Sequence, residues 1–484
     1  MTVIANDPDH TQPDEQSVGL QTRDGAMSSV AQVEVRRLSG QLDGHVVQRD
    51  DPTYDVERRV WNGMIDRRPA MIAKCASTTD VQRVLTFAAE HDAVISVRGG
   101  GHNAAGLAVR DDGIVVDLAD IDHVDVDTAR GLVRAGGGVT IGALDAATQR
   151  HGLAVPLGVV TETGIAGLTL GGGFGWLRNK YGLSCDNLVA ATVVTADGRI
   201  VRADETDEPE LLWGLRGGGG NFGVVTEFEF RAYPLGPEVH FSVVMHSQAD
   251  APAALRFFRE WSERAPDEVS SIGVVWHAPE IDEIAAEHHG TPIATFVAMH
   301  SGTPAEGAEV LAELEGWGSP IANLGGTMPY LEVQQFFDED YPKWERRYYW
   351  TSSYVRELAD ELIDAVFESV ATMPAGHSNV DIWPIGGAVA RVDVGATAFG
   401  DRSASFMLGI EANWDDPDLD QAHIEWAQRI AATAGPWSTG GRYANFPGGY
   451  ETDEAPDFFG GNGHEVEALK RRFDPDNRFD RTHT

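Results

Sequence analysis

Apolar positions recur with two different periods along this chain, and their arrangement changes past Pro234. In residues 79–91, Val81, Val84, Leu85 and Ala88 fall at helical spacing, which predicts a helix. The β-branched run at 93–98 predicts a strand running into Gly99-Gly100-Gly101-His102-Asn103. Further strands are expected at 113–118 and 131–136, a helix at 140–149 with Leu144 and Ala147 inward, and a strand at 191–196 closed by the Asp197-Gly198 turn. Upstream, residues 28–41 read as a short helix with Val30, Val33 and Leu38 on one side. Residues 1–27 are polar and aperiodic and are expected to lie loosely on the surface.

Beyond Pro234, strands at 239–245, 272–276 and 293–300 alternate with helices at 252–265 and 304–314. A helix at 355–372 then precedes three strands, 378–384, 387–392 and 403–414, and a helix at 420–434. Short helices mixed with short strands make this an α+β chain. Its expected division is a flexible N-terminal segment at 1–44, a first domain at 45–233, an antiparallel-sheet domain at 234–435 and a return to the first domain at 436–484.

Three glycine clusters punctuate the first domain. Gly99–Gly101 precede His102; Thr163-Gly164-Ile165-Ala166-Gly167 leads to Gly171-Gly172-Gly173-Phe174-Gly175-Trp176; and Gly217–Gly220 precede Asn221-Phe222-Gly223-Val224-Val225. Glycines let backbone N–H groups turn towards one point, as a diphosphate requires. The first loop alone fits a turn histidine as well as a reactive one.

Together and in this order, the clusters resemble the FAD-binding domain of the vanillyl-alcohol oxidase and p-cresol methylhydroxylase superfamily, nearest its berberine-bridge-enzyme-like branch of FAD-linked oxidases. The resemblance runs from about Asp51 to Phe479 and includes the terminal stretch Leu469 to Phe479. It implies a two-part FAD-binding domain with an antiparallel-sheet substrate domain over the cofactor. It places His102 where the family joins a histidine to the 8α-methyl of FAD, and Val160 where some relatives carry a second, cysteinyl link, so a single attachment is expected. The cofactor residues it implies are Arg98, Gly99, Gly100, Gly101, His102 and Asn103; Thr161, Thr163, Gly164 and Gly167; Gly171, Gly172, Gly173 and Phe174; and Gly220, Asn221, Gly223, Val225 and Asn445.

Tyr443 and Asn445 match the family's Tyr-x-Asn motif, which makes Tyr443 the leading substrate-facing acid or base, while Asn445 orients the ring or the substrate. A tyrosine titrating near 10 is a poor base at neutral pH and needs a positive neighbour or a coupled carboxylate. Glu411 is the candidate carboxylate, because alternation in 406–412 sets it on one face with Met407 and Gly409. A surface glutamate fits that position equally well. Phe174 replaces a tyrosine of some relatives, and Trp344, Tyr348, Tyr349 and Trp350 read as core or pocket-wall aromatics.

Charge narrows the partners. With 37 basic against 75 acidic residues the net charge is −38, which opposes nucleic acid and anionic membranes. Only Lys74, Lys180, Lys343 and Lys470 are lysines, and so acidic a surface suits a halophilic, salt-screened setting. Cys75 and Cys185 do not make a disulfide framework, and the start of the chain shows no export signal, so a soluble cytoplasmic protein is expected. Gly99–His102 does not follow the nicotinamide-binding pattern, no phosphate-loop motif is present, and Glu287-His288-His289 is not expected to bind metal. The expected activity is oxidation of a small alcohol or carbohydrate, with oxygen or another electron acceptor. The alternatives are C–N bond oxidation in an amine or alkaloid-like molecule, or a flavoprotein scaffold without turnover. Oligomeric state is left open.

Overall fold

The computed structural model describes residues 17–446, 448 and 457–479. A four-stranded sheet holds His45–Gln48 (β1), Met71–Lys74 (β2), Ile95–Arg98 (β3) and Ile114–Asp117 (β4) in the order β1-β2-β4-β3, with β2 and β3 each parallel to β4. Helix Thr78–Glu90 (α1) makes the crossover from β2 to β3, and the Ser77 hydroxyl caps it by accepting from the Asp80 N–H at 3.2 Å. A five-stranded antiparallel sheet follows: Val124–Asp127 (β5), Leu132–Gly136 (β6), Leu188–Val194 (β7), Ile200–Ala203 (β8) and Val224–Arg231 (β9), in the order β8-β7-β9-β6-β5. Helices Ile141–Gln149 (α2), Ile165–Leu170 (α3) and Pro209–Leu215 (α4) contribute to the core of this layer.

The third sheet has eight strands, all antiparallel. Its six long or central members are Glu238–His246 (β10), Val269–His277 (β11), Pro292–His300 (β12), Arg347–Val355 (β13), Asn379–Pro384 (β14) and Phe406–Trp414 (β15). They lie in the order β10-β12-β11-β14-β15-β13. Alternation gives the sheet two different faces. Val275, Phe296, Val380, Ile382, Leu408 and Ile410 pack on helices Ala251–Arg264 (α5), Pro304–Gly316 (α6), Asp360–Val370 (α7) and Asp420–Thr433 (α8). The intervening residues turn towards the first domain.

After the sheet, the chain returns. Phe458, Phe459, Val466, Leu469 and Phe473, the last three on helix Gly463–Phe473 (α9), share a core with Phe228 and Phe230 of β9. Arg472 forms ion pairs with Glu208 and Glu210 beside α4.

Four expectations are corrected. Residues 17–27 do not trail on the surface: Ser17–Gln21 pairs with Met27–Ala31, and Leu20 lies in the core. The helix expected from 28 starts only at Gln32, which leaves Val33 exposed and buries Val35 and Leu38. The helix expected from 355 starts at Asp360, because the aromatic run 347–355 pairs along its whole length with β15. Residues 387–391 are helical rather than a third strand, since β14 already has β11 and β15 on its two edges. Gly387, at φ +52°, brings that turn against the Asn179 carbonyl, where a Cβ would stand 2.1 Å from the oxygen. Among the described residues no helix is long and apolar enough to cross a membrane.

Candidate active site

A cavity of about 700 Å³ lies between the first domain and the eight-stranded sheet. Its two walls are made of different material. On the first-domain side, Gly99, Gly100, Gly101, Gly164, Gly167, Gly220 and Gly223 line it, with His102, Asn103, Thr163, Phe174 and Val225. Gly100 and Gly164 touch backbone to backbone: a Cβ on Gly100 would stand 2.4 Å from the Gly164 nitrogen, and the reciprocal distance is 2.3 Å. Gly167 has nothing within 4 Å of its Cβ position. Only residues without side chains leave this wall so deep.

His102 emerges from that wall. Its imidazole stacks on Trp61, with ring centroids 4.1 Å apart and planes at 18°. The ring is half-buried, yet Nε2 is shielded and has no hydrogen-bond partner. Burial pushes its pKa down to about 3, partly opposed by a hydrogen bond to its own backbone. The result is a neutral imidazole with a free lone pair, the state a nucleophile requires. A glycine-built cradle and an unpartnered ring nitrogen on the same wall fit FAD and a histidyl link to it. Bound there, the flavin would be held by Gly99–His102, Thr163, Gly164, Gly167, Gly220, Gly223 and Val225.

Other residues expected at the cofactor sit behind the wall. The Arg98 guanidinium turns under the loop to Asp117 at 2.8 Å and the Glu57 carbonyl at 2.6 Å, and so props the glycines from below. Thr161 is taken up by Asp338, whose carboxylate accepts from its N–H at 2.8 Å and its hydroxyl at 2.5 Å. Asn221 donates to the Gly218 carbonyl at 2.8 Å and shapes its own loop. Gly171, Gly172 and Gly173 seat Tyr443 and Asn445: a Cβ on Gly171 would fall 2.1 Å from Asn445 Oδ1, and the Gly173 N–H donates to the Tyr443 hydroxyl at 3.0 Å. Asn103 lines the cavity while its Oδ1 accepts from the Ala105 N–H at 3.1 Å. Val160 reaches the cavity, whereas Cys75 and Cys185 are buried free thiols pushed up by burial.

The opposite wall is built from side chains of alternate strand positions: Met245, Trp276, Val297, Trp383 and Met407 are apolar, and Asn379, Asp381 and Glu411 are polar. Glu411 is buried, and its Oε2 accepts from the Tyr341 hydroxyl at 2.7 Å. Burial first, and Asp381 second, push its pKa well above the usual carboxylate range. Asp381 Oδ1 accepts from Asn379 Nδ2 at 2.7 Å, and burial raises its pKa to about 7. Two buried carboxyls on adjacent strands thus share one wall.

Tyr443 also lines the cavity, but its hydroxyl accepts from Gly173 N–H and from Asn445 Nδ2 at 2.9 Å, and burial raises its pKa to about 12. The coupled carboxylate expected for it is not its hydrogen-bond partner, since Glu411 is held by Tyr341. Both contacts leave the Tyr443 hydroxyl proton available to donate, and the raised pKa opposes its loss at neutral pH.

Asp381, Asn379, Tyr341 and Trp61 were not anticipated. The first two had a signal: polar Asn379 and Asp381 alternate with apolar Val380 and Ile382 in an expected strand, as Glu411 does in its own. Tyr341 and Trp61 sit in connecting segments where no period operates. Among the described residues no cluster suited to a metal ion is found; His289 instead pairs with the Ile284 carbonyl.

The family profile described as an FAD binding domain matches residues 69–204. An FAD-linked oxidoreductase of Bacillus subtilis, YgaK, is 28% identical over 446 residues, covering 90% of this chain and 96% of its own. The (R)-6-hydroxynicotine oxidase of Paenarthrobacter nicotinovorans is 43% identical over 194 residues, 40% of this chain and 42% of that protein. Among solved structures, 6-hydroxy-D-nicotine oxidase from Arthrobacter nicotinovorans superposes with a TM-score of 0.82 at 28% identity, covering 92% of this chain and 98% of that one. A berberine-bridge-enzyme-like protein of Physcomitrella patens gives 0.83 at 21% identity, over 93% of this chain and 99% of that one. A chitooligosaccharide oxidase gives 0.81 at 21% identity, over 93% of this chain and 98% of that one. Residues 69–204 thus carry an FAD binding domain, the chain as a whole is similar to FAD-linked oxidoreductases, and its fold is shared with 6-hydroxy-D-nicotine oxidase and a berberine-bridge-enzyme-like protein.

Proposed function

We propose that this enzyme carries FAD covalently through His102 and oxidises a small alcohol or carbohydrate hydroxyl by hydride transfer to flavin N5. One observation carries the reading: a single cavity is lined by a neutral, unpartnered imidazole nitrogen and by two buried carboxyls. Bound FAD supplies the two-electron acceptor, and oxygen or another acceptor restores it. Glu411, once ionised, takes the hydroxyl proton; Asp381 beside it sets the pH at which that ionisation occurs. The Tyr341 hydroxyl steadies Glu411 at 2.7 Å, and Tyr443, oriented by Asn445, donates a hydrogen bond to the reacting group. The apolar side chains of the sheet wall keep bulk water from competing for the carboxylate.

A second reading is oxidation of a C–N bond in an amine or alkaloid-like substrate, favoured by the same two carboxyls, which suit an ammonium group, and by the likeness to nicotine oxidases. Two measurements test both. Acid precipitation should keep the yellow colour in the pellet for wild type and release it for His102→Ala; release from wild type overturns the linkage. Anaerobic mixing with a panel of sugars, alcohols and amines should bleach the flavin with one class, and bleaching by none would leave a scaffold without turnover.

A further inference from the structure

We infer that Trp61 is a positioning residue for flavin attachment, its indole clamped so as to hold the His102 imidazole in the orientation that joins it to the 8α carbon. This rests on the proposed His102 link. Trp61 is 3% exposed and makes a ring stack of three: His102 on one face at 4.1 Å and Tyr348 on the other at 3.6 Å, both planes at 18°. The edge of Trp350 closes one side at 5.0 Å.

The indole itself has no freedom to turn. Its Nε1 donates to the Tyr341 carbonyl at 2.9 Å, and the Trp61 N–H donates to the Gly101 carbonyl at 3.1 Å, one residue before the imidazole. The Trp61 carbonyl accepts from the Trp344 N–H at 2.8 Å. Next door, Asn62 donates to the Ala104 carbonyl at 2.6 Å and the Tyr348 carbonyl at 2.8 Å, and accepts from the Tyr348 N–H at 3.1 Å. Trp61 and Asn62 thus lock the histidine loop to the start of β13. The stack covers one imidazole face, leaves Nε2 without a donor that would block its lone pair, and keeps out water that would protonate it.

Attachment replaces one methyl C–H and the imidazole N–H by a single C–N bond. The two hydrogens, as two protons and two electrons, leave on the reduced flavin ring, and dioxygen removes them as hydrogen peroxide. No group on Trp61 takes part, so its whole contribution is geometric.

The titratable groups on elements packed against the imidazole are Arg98 with its partner Asp117, and the phenols of Tyr348 and Tyr341 beyond the indole, both pushed up by burial. Asp340, next to Tyr341, and Glu411 on β15, which accepts from the Tyr341 hydroxyl, are raised by burial and change charge at higher pH than an ordinary carboxyl. The pH arm of the test is therefore read as the ratio of variant to wild type, in which these contributions cancel.

Wild type, Trp61→Phe, Trp61→Leu and His102→Ala are purified and incubated with excess FAD at pH 5.5 and pH 8, and acid-stable flavin is followed with time. Wild type and Trp61→Phe should link at similar rates at both pH values. Trp61→Leu should link about tenfold more slowly at pH 8. It should lose several-fold more at pH 5.5, because an imidazole open to water titrates near its ordinary 6.5. Linking by Trp61→Leu at the wild-type rate with an unchanged pH ratio overturns the inference and leaves the His102 link intact. Failure of wild type to hold flavin in acid, or acid-stable flavin on His102→Ala, overturns the link itself. If Trp61→Leu does not fold, Trp61→Phe decides on its own: a tenfold loss with an unchanged pH ratio shows that stacking is not what the indole supplies.

Discussion

The two walls of the cavity solve opposite problems. The first-domain wall is shaped by what its residues lack: where Gly100 meets Gly164, no side chain fits at all. The sheet wall is shaped by what its residues carry, two carboxyls and a set of large apolar groups on alternate positions of five neighbouring strands. A backbone wall binds one ligand closely and tolerates no change. A side-chain wall can be rewritten residue by residue while the sheet behind it stays the same.

Substitutions should therefore separate by wall. Gly100→Ala should have the largest effect: a methyl 2.4 Å from a backbone nitrogen cannot be accommodated, and the purified protein should contain almost no flavin by its visible absorbance. A normal flavin content would show that the wall yields. Glu411→Gln, on the other wall, should keep the flavin and slow its anaerobic reduction by about 10²- to 10⁴-fold. In wild type, Asp381, raised to about 7, and Glu411, pushed well above the usual carboxylate range by burial, are protonated at low pH, so kcat/KM should rise with increasing pH. Asp381→Asn should move that rise to lower pH, because Glu411 then ionises without a second negative charge beside it.

The smallest effect is on stability. Asp145 of α2 is buried, accepts from Gln334 Nε2 at 2.7 Å, and has a pKa raised to about 7. Its folded pKa lies above the unfolded value of about 3.9, so the folded state binds more protons between those limits. Stability from this group is complete below the unfolded pKa and is lost as pH rises to about 7. Asp145→Asn should therefore reduce the fall in Tm between pH 5 and pH 8 relative to wild type, with flavin content and turnover little changed.

The same division governs what was legible in the chain. Glycine clusters are conformational statements that hold without knowledge of their neighbours, so the position of His102 and of Gly164 and Gly167 could be anticipated. The helix at Thr78–Glu90 was legible because its apolar stripe and cap are local. The sheet wall was legible in part: alternation singled out Glu411, but a polar residue on a strand is buried or exposed according to what covers it. Asp381 and Asn379 carry the same alternation and acquire their meaning from strand β15 alongside. Residues 347–355 became a strand because β15 had a free edge, which no local pattern reports. Tyr341 and Trp61 act through contacts 70 and 280 residues away in sequence.

The return of α9 to the first domain, with Arg472 on Glu208 and Glu210, bears on how such enzymes are recombined. A chimaera made with one crossover would pair a foreign terminal helix with the resident α4 and lose that interlock. Exchanging the sheet between relatives takes two junctions, one near Pro234 and one ahead of Tyr443, so that the tail travels with the half it closes.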